Sequence, residues 1–80
     1  SIPSYFDIVK IDVEGFEWST IRGLKDIHWN VMFVELLAPK DQTNQIAKFT
    51  RQVQQLWPGS SLVSKIRNKT TLDLVFTNNE

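Results

Sequence analysis

Cysteine is absent from this chain, which excludes disulfides, thiolate metal sites and a cysteine nucleophile and leaves the redox compartment open. Glycine is scarce. Gly15, Gly23 and Gly59 are the three present, too far apart to form the G-x-G-type turn that wraps a nucleotide cofactor. A P-loop and a nucleophile elbow are missing too. The single histidine, His28, has no second histidine or cysteine to make a metal site with and reads as a loop or packing residue. Neither sign of charge is in excess: nine Lys and Arg stand against nine Asp and Glu. Without a like-charge block, neither nucleic acid nor an anionic membrane is an expected partner. The apolar runs stop at four or five residues, far short of the roughly 20 that cross a bilayer as a helix, so no transmembrane segment is expected in this stretch. Ser1 is not followed by a signal-like segment. Eighty residues allow one small domain, burying only about 60% of the surface its unfolded chain exposes. The chain reads as a partial segment of something longer, or as a product whose front end is gone.

What is present is organised around Ile8-Val9-Lys10-Ile11-Asp12-Val13-Glu14-Gly15-Phe16-Glu17. Its β-branched residues favour extended backbone. So little polar alternation suits an inner parallel strand, over about 6–12, covered on both faces. Asp12 and Glu14 fall two apart at the strand's carboxyl end and share a face if the extended backbone persists. In open α/β sheets that end is where ligands bind. Gly15 lets the chain turn, and Phe16, Trp18, Ile21, Leu24 and Ile27 then recur at helical spacing, with Glu17 suited to the helix start and Gly23 and Lys25-Asp26 to its end. Trp18 reads as a core-facing aromatic.

Val31-Met32-Phe33-Val34-Glu35-Leu36-Leu37 is a second apolar run, read as a buried parallel strand that completes a βαβ unit. Its one charge, Glu35, either reaches solvent at the rim or faces the same crevice as Asp12 and Glu14. Asp41 is a candidate N-cap. From Gln42 to Trp57 the apolar residues Ile46, Phe49, Val53, Leu56 and Trp57 repeat at three and four, the clearest helix in the chain, stopped by Pro58-Gly59. Residues 61–67 and 71–77 then read as an antiparallel hairpin across Asn68-Lys69-Thr70. That tripeptide is also an N-glycosylation sequon by pattern, which matters only in a secreted chain.

Lys10-Ile11-Asp12-Val13-Glu14-Gly15-Phe16-Glu17, then Ile21-Arg22-Gly23-Leu24, then Val31-Met32-Phe33-Val34-Glu35-Leu36, resemble the fourth strand, following helix and fifth strand of FkbM-type methyltransferases. The rest of the chain agrees in element order. The resemblance implies an α/β fold, the carboxyl-terminal half of a Rossmann-like class I methyltransferase sheet (β-α-β-α-β-β, two parallel strands and then an antiparallel hairpin beside the fifth strand). It also implies S-adenosylmethionine as cofactor in the complete domain. The glycine loop and the ribose-holding acid would belong to the missing amino-terminal half of the same domain, the expected partner of this segment. The first strand would then have an unpaired edge, and the isolated segment is expected to be inactive.

The resemblance places Asp12 and Glu14 near the cofactor's methionine end and the acceptor hydroxyl, with a small molecule or a glycan as acceptor. Three roles stay open for them. A carboxylate raised in pKa by burial acts as general base or orients the hydroxyl. A carboxylate pair holds a divalent cation that acidifies the hydroxyl. Or both simply cap the following helix and shape the turn. The alternative to an enzyme segment is a non-catalytic α/β interaction module or an inactive remnant of the fold.

Overall fold

The computed structural model describes residues 5–12, 22–37 and 42–79. Among them are four strands and one helix: β1 (Tyr5–Asp12), β2 (His28–Leu37), α1 (Gln42–Leu56), β3 (Ser60–Arg67) and β4 (Thr71–Asn78). The strands form one mixed sheet in the order β1-β2-β4-β3. β1 and β2 are parallel, and β4 is antiparallel to both β2 and β3. β3 therefore points the same way as β1 and β2, and β4 runs against all three from between β2 and β3.

Alternation decides which way this sheet faces. In β4, Leu72, Leu74 and Phe76 are fully buried while the residues between them are half-buried. Their register partners in β2 are Leu36, Val34 and Met32. These in turn lie beside Ile11 and Val9 of β1, through the pairs Ile11–Val34 and Val9–Met32. Neighbouring residues across strands share a face, so one apolar surface runs over three strands. The helix covers it. Ile46, Phe49 and Val53, spaced at three and four, are its buried stripe, and Phe49 meets Phe76 with ring centroids 6.1 Å apart. Each large side chain sealed in this layer is worth about 1.5–3 kcal/mol of transfer free energy.

The end of α1 is secured by the residues expected to stop it. Proline after Trp57 cannot continue the helix, and the orphan Trp57 carbonyl accepts from the Ser60 hydroxyl at 2.6 Å and the Ser60 amide at 2.9 Å. Trp57 also stacks edge-on against Trp29, centroids 5.4 Å apart, and its Nε1–H donates to the Ile27 carbonyl at 3.2 Å. One aromatic thus ties the helix exit to the entry of β2. In β3 the register shifts between Leu62 and Ser64, leaving Val63 as the extra residue of a bulge, 57% exposed.

The helix expected over 16–27 lies outside the described residues except for its end. There the chain turns over 23–26, with the Lys25 amide donating to the Arg22 carbonyl and the Ile27 amide to the Leu24 carbonyl. The Asp41 cap and Trp18 also lie outside them. Within the described sheet β1 is the outermost strand, which agrees with the unpaired first edge expected above, and Ile8 is 64% exposed, so among the described residues the cover expected on both of its faces is present on one. Phe33 on β2 is exposed on the same side as Ile8. A near-continuous apolar run reports a strand with two apolar faces, and the described part of this chain has one helix to cover them.

Leu74→Ala opens a cavity under α1 and should cost about 2–5 kcal/mol. Val63→Ala, at the exposed bulge, should stay within about 0.5 kcal/mol. Urea unfolding midpoints compare the two, and equal losses would contradict this core.

Candidate functional site

The parallel strands β1 and β2 end side by side, and the register sets Asp12 directly opposite Glu35. Glu35 is in turn opposite Asp73 of β4. Three carboxylates therefore form a straight row across three strands, on the face away from α1. Asp12 is exposed, Glu35 and Asp73 half-buried. One step toward the start of β1, the same face carries Lys10, Phe33 and Val75, again in register. Lys10, Phe33, Glu35 and Asp73, with Val34, line a cavity of about 130 Å³. In this pocket the Lys10 ammonium stands with the carboxylates of Glu35 and Asp73. Extended backbone holds these side chains in place, because a slip of one residue would turn every one of them to the other face.

Asp73 is fixed from the hairpin turn. The Asn68 amide closes the turn by donating to the Thr71 carbonyl at 2.8 Å, and Asn68 Nδ2 reaches both Asp73 Oδ2 and Thr71 Oγ1 at 3.2 Å. The sequon Asn68-Lys69-Thr70 is therefore an exposed turn whose side-chain amide is already engaged.

Of the two carboxylates singled out from sequence, the structure places Asp12 at the carboxyl end of β1, and Glu14 lies outside the described residues. Glu35 lies on the same face of the sheet as Asp12, half-buried, in the pocket it shares with Lys10 and Asp73. Asp73 was not anticipated: its strand reads as ordinary hairpin alternation, and only the pairing of β4 with β2 brings it to Glu35. His28 is the exposed first residue of β2. Among the described residues no group of three or more His, Asp or Glu converges closely enough to hold a metal ion. The acid row is a line rather than a cage. No helix among them is long and apolar enough to cross a membrane.

A four-stranded mixed sheet with carboxylates at the ends of adjacent parallel strands is a small α/β architecture of the kind that binds ligands at strand ends. The family model described as the methyltransferase FkbM domain matches residues 2–67, taking in β1, β2, α1 and β3, and this chain belongs to that family. No curated protein and no solved structure gave a significant match.

Like charges directly opposite one another across strands are destabilising, and Glu35 is opposite Asp12 on one side and Asp73 on the other. Glu35→Gln should raise the stability of the fold by about 0.2–1 kcal/mol at low salt. The gain should shrink in ~1 M salt, where the screening length falls to about 3 Å. Urea melts at the two ionic strengths check this, and a loss of stability would show that Glu35 is held by a favourable partner instead.

Proposed function

We propose that this chain is the carboxyl-terminal half of a Rossmann-like class I methyltransferase domain that transfers a methyl group from S-adenosylmethionine to a hydroxyl of a small molecule or sugar-type acceptor. The cradle for the cofactor would come from the amino-terminal half of the same domain. The observation that carries this reading is the register of Asp12 with Glu35 at the ends of two parallel strands, in a chain of the FkbM methyltransferase family. The strand directions support it as well: three strands point one way, and the last in sequence enters antiparallel between two of them.

The residues present fit only one edge of such a cofactor. A carboxylate at Asp12 suits the ammonium of its methionine end or the acceptor hydroxyl. Yet Asp12 is exposed, and the three glycines form no nucleotide cradle. The described residues therefore lack an enclosed site, and no step through the cofactor is derived from them. For the acceptor the chemistry is simpler. As the oxygen takes the methyl group it must lose its proton, and a carboxylate within about 2.6–3.2 Å of the hydroxyl can accept it. The burial that would suit a carboxylate to that task has to come from outside the described residues. Activity from the 80-residue chain alone is not expected.

Calorimetry with S-adenosylmethionine tests this on two proteins, this chain and a longer one that includes the amino-terminal half. The longer protein should bind and this chain should not. Asp12→Ala in the longer protein should lower methyl transfer by about 10²–10⁴-fold, the usual worth of a general base, with its unfolding midpoint kept. Absence of cofactor binding by the intact domain would return Asp12 and Glu14 to turn and cap roles.

A further inference from the structure

The charges of this chain balance in number but not in place. From Gln42 to Leu72 there are five cations, Lys48, Arg51, Lys65, Arg67 and Lys69, and no Asp or Glu. They are dispersed in sequence, and the fold gathers them. Lys65 and Arg67 pair with Leu74 and Leu72, whose side chains are buried under α1, so both stand on the α1 side of β3. α1 ends beside the start of β3, where Gln54 Nε2 donates to the Ser60 carbonyl at 3.3 Å. Arg51 is three residues before Gln54 and Lys48 three before Arg51, which makes each the other's neighbour on the helix surface. Arg67 is engaged within the fold; Lys48, Arg51, Lys65 and Lys69 are exposed. Because β3 points the same way as β1 and β2, the turn that carries Lys69 lies at the sheet edge where Asp12 lies. The strand order β1-β2-β4-β3 separates Asp12 from that turn by two to three inter-strand steps, about 10–14 Å in all.

The rest of this surface narrows what it holds. Among the described residues the exposed rings Tyr5, Phe6 and Phe33 lie on β1 and β2, so α1, β3 and their turn offer no aromatic platform for a nucleic-acid base. The apolar stripe of α1 is taken up by the core, which leaves none to enter a lipid surface. Beside Lys48 and Arg51 stand the exposed amides of Gln45 and Gln55, which can both donate to and accept from hydroxyl groups. We propose that the acceptor is an anionic glycan, bearing sulfate, phosphate or carboxylate groups, which Lys65 and Lys69 hold at one end while its reacting hydroxyl lies at Asp12. This rests on the methyltransferase reading above. Charge then orients the acceptor as well as selecting it, and the span from the turn to Asp12 calls for more than a single sugar ring.

The test uses the longer protein, with dextran sulfate and unsulfated dextran oligosaccharides of equal length as probes. Calorimetry should show the sulfated probe binding at least about tenfold more tightly, a preference that fades between about 0.05 and 0.2 M salt. Lys65→Glu with Lys69→Glu should remove that preference while S-adenosylmethionine binding is kept. Arg22→Glu with Lys25→Glu makes the same charge change at the exposed turn before β2, at the other end of the strands, and should leave it intact. Backbone amide shifts on adding the sulfated probe should appear at both Lys69 and Asp12. Equal affinity for the two dextrans, a preference that survives reversal at Lys65 and Lys69, shifts that miss Asp12, or tighter binding of duplex DNA or polyglutamate would each overturn the proposal while leaving the methyltransferase reading in place. Failure of the longer protein to bind S-adenosylmethionine would overturn that reading, and the acceptor with it, whatever the dextrans do.

Discussion

The described part of this fold depends on one sheet face being removed from water by α1. Met32, Val34, Leu72, Leu74 and Phe76 are fully or almost fully buried beneath the stripe of Ile46, Phe49 and Val53. The site depends on the same burial. With period-two alternation, residues that must face α1 force those between them to face away. Val34 and Leu74 point at the helix, so Glu35 and Asp73 cannot. The carboxylate row is thus positioned by the packing of its neighbours, and any change that loosened that packing would loosen the site.

How much of this the sequence reveals depends on how local the cause is. The Gln42–Leu56 helix is legible because its stripe and its Pro58-Gly59 stop lie within one short segment. The strands are legible from their β-branched and alternating content. Insertion of β4 between β2 and β3 is another matter. The short Asn68-Lys69-Thr70 turn shows that the last two strands pair with each other, and the family resemblance puts that pair beside β2. Which member touches β2 is decided by the match of Leu72, Leu74 and Phe76 to Leu36, Val34 and Met32, a long-range fit with no local signature. Asp73 escapes a sequence reading for that reason. Asp12 does not, since a carboxylate closing an apolar run is visible within a few residues.

Like charges opposite one another weaken strand pairing, and Glu35 meets an acid on each neighbouring strand. The two inner acids are supported differently. Asp73 is braced by Asn68, whereas Glu35 shares its pocket with the Lys10 ammonium.

The two edges of the described sheet differ in regularity alone. Both carry charges, Asp7, Lys10 and Asp12 on β1 and Lys65 and Arg67 on β3, and both expose apolar side chains, Tyr5 and Ile8 on one and Val63 and Ile66 on the other. β3 has a bulge at Val63, a device that turns an edge away from further pairing. β1 has none: its register with β2 runs without a shift from Tyr5 to Asp12. A regular edge is the one that can accept another strand. On the reading proposed above, that strand would come from the amino-terminal half, and Asp12 would then lie between the strands that hold a cofactor and the one that carries Glu35.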